Sequence, residues 1–150
     1  MEIKSLAVSL AKKHGTRDPF RLCKALGYIV IFTPLEGIRG FYQHVKRCHI
    51  IYIDNQLDEE EAAFVCAHEL GHSFLHRGLN RIFMDKHTHM TTSRYEWEAD
   101  KFAADLLFDD YDLQDLLECS ITTVADCLGV DIRLAEYRMS TVQPVMFSDY

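Results

Sequence analysis

The 150-residue chain lacks any apolar run approaching the roughly 20 residues of a membrane span. Its first residues, MEIKSLAVSLAKKHG, are too polar for a secretory signal peptide. There is no C-x-x-C pair, and the five cysteines, Cys23, Cys48, Cys66, Cys119 and Cys127, are odd in number. They sit inside apolar runs and read mostly as small core residues of a reducing compartment. There is no excess of positive charge either. The formal net charge of −7 disfavours broad nucleic-acid binding, which needs Lys and Arg to displace counterions. An acidic surface can attract a basic protein partner or serve only solubility. No repeat and no low-complexity linker is visible. A soluble, cytoplasmic chain is expected.

The apolar content of 48% and aromatic content of 11% are those of an ordinary globular protein. Ile3, Leu6, Ala7, Leu10 and Ala11 recur at helical spacing before Gly15. Asp18-Pro19 reads as an N-cap followed by proline at the first helical position, opening a short helix that Gly27 ends. Tyr28–Phe32, Phe41–Val45 and Cys48–Ile53 have strand composition, the last two joined around Lys46-Arg47 as a hairpin. Asp58 and Glu61 form a capping-box-like pair, so a helix is predicted from there to about His76-Arg77. Residues 79–92 read as loop. Helical spacing returns from Arg94 to about Phe108, then around Leu113, Leu116 and Leu117. Ile121–Met139 reads as two short helices about Gly129, and the tail from Thr141 as extended.

The central helix carries Cys66-Ala67-His68-Glu69-Leu70-Gly71-His72-Ser73-Phe74-Leu75-His76. An α-helix turns about 100° and rises about 1.5 Å per residue, so His68 and His72 share a face roughly 6 Å apart along the axis. Two imidazoles so placed can converge on one metal ion. His76 is on the same face but roughly 12 Å from His68, too far to join both on one tetrahedral ion. It is left a supporting, substrate-contacting or packing role. Glu69 is rotated partly off the ligand face and can serve an activated water as general base, the H-E-x-x-H arrangement.

A catalytic zinc usually has three protein ligands and an open position. The third is missing from this helix. The next long helix offers Glu96-Trp97-Glu98-Ala99-Asp100-Lys101-Phe102-Ala103-Ala104. Glu96 and Asp100, at i and i+4, share a face with Ala99 and Ala103, whose small side chains allow close helix approach. Glu96 can then bind the metal while Asp100 orients a ligand histidine through its second ring nitrogen. Glu98 turns away from that face and is the weaker candidate. Without the upstream motif these carboxylates would read as an exposed acidic face.

HELGH followed by EWEADKFAADLL resembles the ImmA/IrrE family of metallopeptidases. The strand CHIIYID and the helix–strand stretch DPFRLCKALGYIVIF are similar to that family too. The likeness spans roughly residues 15–140, although Leu106-Leu107-Phe108-Asp109-Asp110 stands where the family often has a proline-ended stretch. The resemblance implies an α+β, zincin-like fold: a short antiparallel or mixed sheet, an HExxH helix and additional C-terminal helices. The core is expected over residues 1–108, with a helical region over 109–150. It implies Zn2+ on His68, His72 and Glu96, with Glu69 catalytic and Asp100 in support. It further implies a cytoplasmic endopeptidase that cuts a particular regulatory protein, typically a helix-turn-helix repressor of a mobile element.

Three questions stay open. An extended substrate can lie beside one of the strands near Cys48–Ile53 as an added strand. The oxyanion-supporting group is among Tyr95, His49, His76, His87 and His89, and His87-Thr88-His89 reads as loop polarity rather than a second metal site. Val124–Asp131 with Tyr137-Arg138-Met139 is a weak helix-turn-helix pattern, read as a packing or docking element because the region is not basic. The competing functions are a metal-stabilised protein that sequesters a regulator without cutting it, and a transcription factor that reads DNA through residues 121–139.

Overall fold

The computed structural model describes residues 2–77 and 89–144, of which 89–92 are described by their backbone alone. Among them are helices α1 (Ile3–His14), α2 (Pro19–Leu26), α3 (Glu59–Leu75), α4 (His89–Leu107), α5 (Asp110–Leu113), α6 (Ile121–Leu128) and α7 (Ile132–Ser140). Strands β1 (Ile29–Thr33), β2 (Gly40–Val45) and β3 (Cys48–Asp54) form one mixed sheet in the order β1-β3-β2. The class is α+β. Two compact units divide the chain, residues 1–107 and 108–150.

In the first unit the ends of the elements follow local chemistry. The Asp18 carboxylate accepts from the Phe20 amide at 2.9 Å, with Pro19 opening α2. At α3 the Asp58 carboxylate accepts from the Glu61 amide at 2.8 Å while the Glu61 carboxylate accepts from the Asp58 amide. Glu59, Glu60 and Glu61 lie in the first turn, at the positive end of the helix dipole. Lys46 and Arg47 turn β2 into β3 with φ of 47° and 68°, the left-handed backbone a two-residue hairpin needs.

β1 runs parallel to β3 and β2 antiparallel to it. β3 is therefore central and hydrogen-bonded on both sides, which leaves its neighbours β1 and β2 as the edges of the sheet. A period-two pattern tells which face is buried, not which strands are neighbours. Ile51 and Ile53 point into the core with Leu22, Leu70, Phe102 and Leu106, all fully buried. Only Cys23 and Cys66 are core cysteines, their sulfurs 3.7 Å apart between α2 and α3. Cys48, Cys119 and Cys127 are exposed and all five are free thiols, which corrects the expectation that most are core residues.

α4 begins five residues before the expected Arg94, so residues 89–92 are helix rather than loop. Thr91 and Thr92, β-branched and weak helix formers, had masked the start. Residues 78–88, which include the expected Gly78 stop and His87-Thr88, lie outside the described residues. So does the tail beyond Pro144. The single helix expected around Leu113–Leu117 is instead α5 followed by a 3-10 turn over Gln114–Leu116.

In the second unit, α6 and α7 meet about Gly129, whose φ of 69° is left-handed. Ser120 and Asp131 cap them. Val124, Ala125 and Ala135 form a small core. The buried Arg138 guanidinium donates to the Phe108 carbonyl and, at 2.6 Å, to the Asp110 carboxylate. No helix among the described residues is long and apolar enough to cross a membrane.

Candidate metal centre

α3 and α4 lie face to face in the first unit, and small residues set their spacing. Ala67, Ala99 and Ala103 are fully buried. A side chain at Gly71 would put its Cβ 3.0 Å from the Phe102 ring, so this glycine within HELGH marks a close approach of the helices. Gly40 plays the same part at the sheet, where a Cβ would lie 2.5 Å from Val65 on α3 and 2.7 Å from the Tyr52 carbonyl.

This spacing brings the two motifs together. The Nε2 atoms of His68 and His72 are 3.2 Å apart. The Glu96 carboxylate reaches both, at 3.0 Å to His68 and 2.9 Å to His72, one oxygen to each. The nearer Glu69 oxygen is 3.9 Å from His68 Nε2, and Glu69 is 2% exposed. His68, Glu69 and His72 form a buried cluster of metal-ligating type on one helix. On the far side of His68, Nδ1 is 2.7 Å from the Asp100 carboxylate.

Electrostatics follow from the contacts. Burial works against charging His68, but the Asp100 and Glu96 carboxylates outweigh it and lift its pKa to about 9. Burial likewise works against ionising Glu96, yet the two imidazoles hold its carboxyl well below the usual carboxylate range. The site thus keeps an anion between two nitrogen bases, a donor arrangement that a cation can take over from protons.

Two residues of lesser rank in the sequence come into contact with this cluster. His76 caps α3, is 7% exposed, and its Nδ1 is 2.8 Å from Nδ1 of His72. Its Nε2 is 3.2 Å from the Glu98 carboxylate, and its ring stands against Tyr95 with centroids 4.5 Å apart. Burial, foremost, lowers the pKa of His76 despite that carboxylate.

A cleft of about 500 Å³ opens on the cluster, lined by Ile38, Arg39, Gly40, Phe41, Phe64, Val65, His68, Glu69, Glu96 and Asp100. Of the expected oxyanion candidates, Tyr95, His49 and His76 are not among these lining residues. His49 instead stacks between Tyr28 and His44 on the sheet. His87 lies outside the described residues, and His89 begins α4 with its side chain undescribed. Arg39 and the apolar wall of Ile38 and Phe64 were not singled out in the sequence, because neither carries a motif. Arg39 is half-exposed and 3.5 Å from Glu61.

Residues 23–143 match the IrrE N-terminal-like domain family of peptidases, and the chain belongs to that family of metallopeptidases. It is 36% identical over 139 residues to "Uncharacterized immunity region protein 2" of Bacillus phage phi105, an alignment covering 91% of this chain and 88% of the relative. It is 29% identical over 146 residues to "Metallopeptidase ImmA" of Bacillus subtilis (strain 168), covering 93% and 85%. An enzyme of this kind acts on a protein substrate.

Proposed function

We propose that this member of the IrrE N-terminal-like family is a zinc endopeptidase that cuts a specific regulatory protein, a helix-turn-helix repressor of a phage or other mobile element. The observation that carries the reading is the single Glu96 carboxylate spanning the Nε2 atoms of His68 and His72 at 3.0 and 2.9 Å. Three donors around a tetrahedral ion with bonds of about 2.0–2.2 Å stand roughly 3.3–3.5 Å apart. The two Nε2 atoms at 3.2 Å, with a different Glu96 oxygen 2.9–3.0 Å from each, put all three side chains within reach of such an ion. Two imidazoles and a carboxylate are also the donor types of a catalytic zinc. His68, His72 and Glu96 are the ligands in this reading.

When bound, zinc supplies a Lewis acid and draws the pKa of water toward neutrality. The chain's own residues do the rest. Glu69, buried with its nearer oxygen 3.9 Å from His68 Nε2, stands beside the ligand nitrogens, where it would take the proton of the attacking water and pass it to the leaving amine. Asp100 accepts from His68 Nδ1 and so keeps Nε2 free to ligate. An extended substrate segment finds its backbone partner at β2, the edge strand whose Gly40 and Phe41 line the cleft. Ile38 and Phe64 give one of its side chains an apolar seat.

The names of the two relatives, a metallopeptidase and an immunity-region protein of a phage, support a regulator of a mobile element as the substrate. They support a cytoplasmic site of action for the same reason. DNA reading by α6 and α7 is disfavoured, since Arg138, one of the few cations there, is buried against Asp110. Sequestration without cleavage remains the competing function.

The test is incubation of the zinc-loaded protein with a helix-turn-helix repressor encoded beside it, with mass mapping of fragments. Cleavage is expected for the wild type, slowed roughly 100-fold or more in Glu69→Gln. Equal rates for the two would remove Glu69 from the mechanism. A bound but intact repressor would favour sequestration.

A further inference from the structure

We infer that Glu98 and His76 are a positioning pair that holds His72 in its metal-binding tautomer. This rests on the reading above that His72 ligates through Nε2. The inference concerns which proton sits where. An Nδ1-to-Nδ1 contact of 2.8 Å between two imidazoles needs one nitrogen protonated and the other bare. With Nε2 of His72 given to a metal, its one proton is on Nδ1, so His72 donates and His76 Nδ1 accepts. Neutral His76 then carries its proton on Nε2, which faces the Glu98 carboxylate at 3.2 Å. Only one arrangement satisfies both contacts: His72 Nδ1–H to His76 Nδ1, and His76 Nε2–H to Glu98.

Each part has a structural reason to be there. His76 is buried and held edge-on against Tyr95, so its ring is not free to turn away. Among the described residues the cation paired with Glu98 is Arg94 at 3.9 Å, beyond hydrogen-bonding range, and the same carboxylate oxygen accepts from His76 at 3.2 Å. The two ligand histidines are therefore backed differently. His68 donates straight to the Asp100 carboxylate, whereas His72 reaches a carboxylate through a neutral imidazole. Outer partners of this kind fix ring orientation and tautomer, and losing one weakens metal binding by about 10–100-fold.

The experiment measures zinc affinity by competition with a chelating dye, and the visible spectrum of the Co2+-loaded protein. It compares wild type, His76→Phe, His76→Gln, Glu98→Ala and the double variant His76→Phe/Glu98→Ala. His76→Phe fills the space without an acceptor and should weaken zinc binding by about 10–100-fold. His76→Gln, whose amide oxygen can accept from His72 Nδ1–H, should recover part of the loss. Glu98→Ala should weaken zinc in the wild-type background but add nothing once His76 is Phe, and both single losses should shift the Co2+ bands. Should His76→Phe fail to fold, Glu98→Ala on the half-exposed side of the pair decides alone, unchanged affinity counting against the pair. Wild type that binds zinc, with variants that bind it equally or lose affinity additively, overturns the pair alone. Wild type that takes up no zinc overturns the metal site and the pair with it.

Discussion

Replacing Gly71 by alanine sets two helix rules against each other. On an isolated helix the change is favourable by about 1 kcal/mol. Here the added Cβ would stand 3.0 Å from Cβ and Cδ1 of Phe102 and 3.1 Å from its Cγ. Ordinary carbon contacts are about 3.5–4.0 Å, so Phe102 must give by a few tenths of an ångström. Phe102 is fully buried and has no open side to retreat to. Overpacking of this kind costs about 1–3 kcal/mol. The balance is a net loss of about 1 kcal/mol, which for a chain of this size lowers Tm by roughly 2–4 °C. Phe102 is two residues from Asp100, so the same displacement of α4 lengthens the 2.7 Å contact to His68 and lowers zinc affinity. Calorimetry and zinc competition read both effects. In a Phe102→Leu background, with a smaller ring-free side chain, the Gly71→Ala loss should shrink, a coupling of about 0.5 kcal/mol or more. A rise in Tm with unchanged zinc affinity, or strict additivity with Phe102→Leu, would refute the close-approach reasoning.

Other perturbations test other parts of the chain. Lys46→Asn with Arg47→Gly should raise Tm by roughly 2–4 °C, because left-handed φ costs a side-chain-bearing residue about 1–2 kcal/mol, asparagine recovers part of this, and the greater entropy loss of glycine leaves a net gain of about 1 kcal/mol. Differential scanning calorimetry would show it; a lower Tm counts against strain at this turn. Arg138→Met should destabilise by about 3 kcal/mol, the low end for breaking a buried ion pair because Asp110 keeps some solvent contact. Urea denaturation measures this, and an unchanged midpoint would show that the pair contributes little. Burial, with Tyr28 nearby, pushes the Tyr42 hydroxyl up to about 12. Its proton is held in the folded state, so the associated stability is complete below pH 10 and is lost as pH rises from 10 to 12. Tyr42→Phe should flatten part of that alkaline decline in urea midpoints, and an identical decline would exclude Tyr42 as a source.

The parts legible in the sequence were those governed by neighbours along the chain. The Asp58–Glu61 capping box gave the start of α3, and helical spacing gave the shared face of His68 and His72 and of Glu96 and Asp100. What lay beyond reach depended on contacts across the fold. Nothing in CHIIYID distinguishes a central strand from an edge strand, so the sequence does not say which of the strands near Cys48–Ile53 is open to a substrate strand. The rise per residue sets His76 far along α3 from His68, but it says nothing of a partner on another helix. Glu98 was set aside for turning away from Glu96, yet its side chain reaches the end of α3 and meets His76 there. Gly71 looked like part of a motif, and its steric reason is a phenylalanine 31 positions along the chain.

The i and i+4 spacing occurs on both facing helices, and the two copies do different work. On α3 it sets two imidazoles side by side, their Nε2 atoms 3.2 Å apart. On α4 it sets two carboxylates about 6 Å apart along the axis. Those carboxylates take the two nitrogens of one ring, Glu96 at Nε2 and Asp100 at Nδ1 of His68. A ring held at both ends can neither flip nor exchange its tautomer without breaking a contact. Glu96 then has its second oxygen left for His72. The α4 spacing therefore orients His68 and brings one carboxylate to both imidazoles in one step. A one-residue shift of α4 would rotate both carboxylates by about 100° and lose every one of these contacts at once. For that reason Gly71 and Ala99, which let α4 sit close and in register, belong to the site as much as the residues that carry its charge.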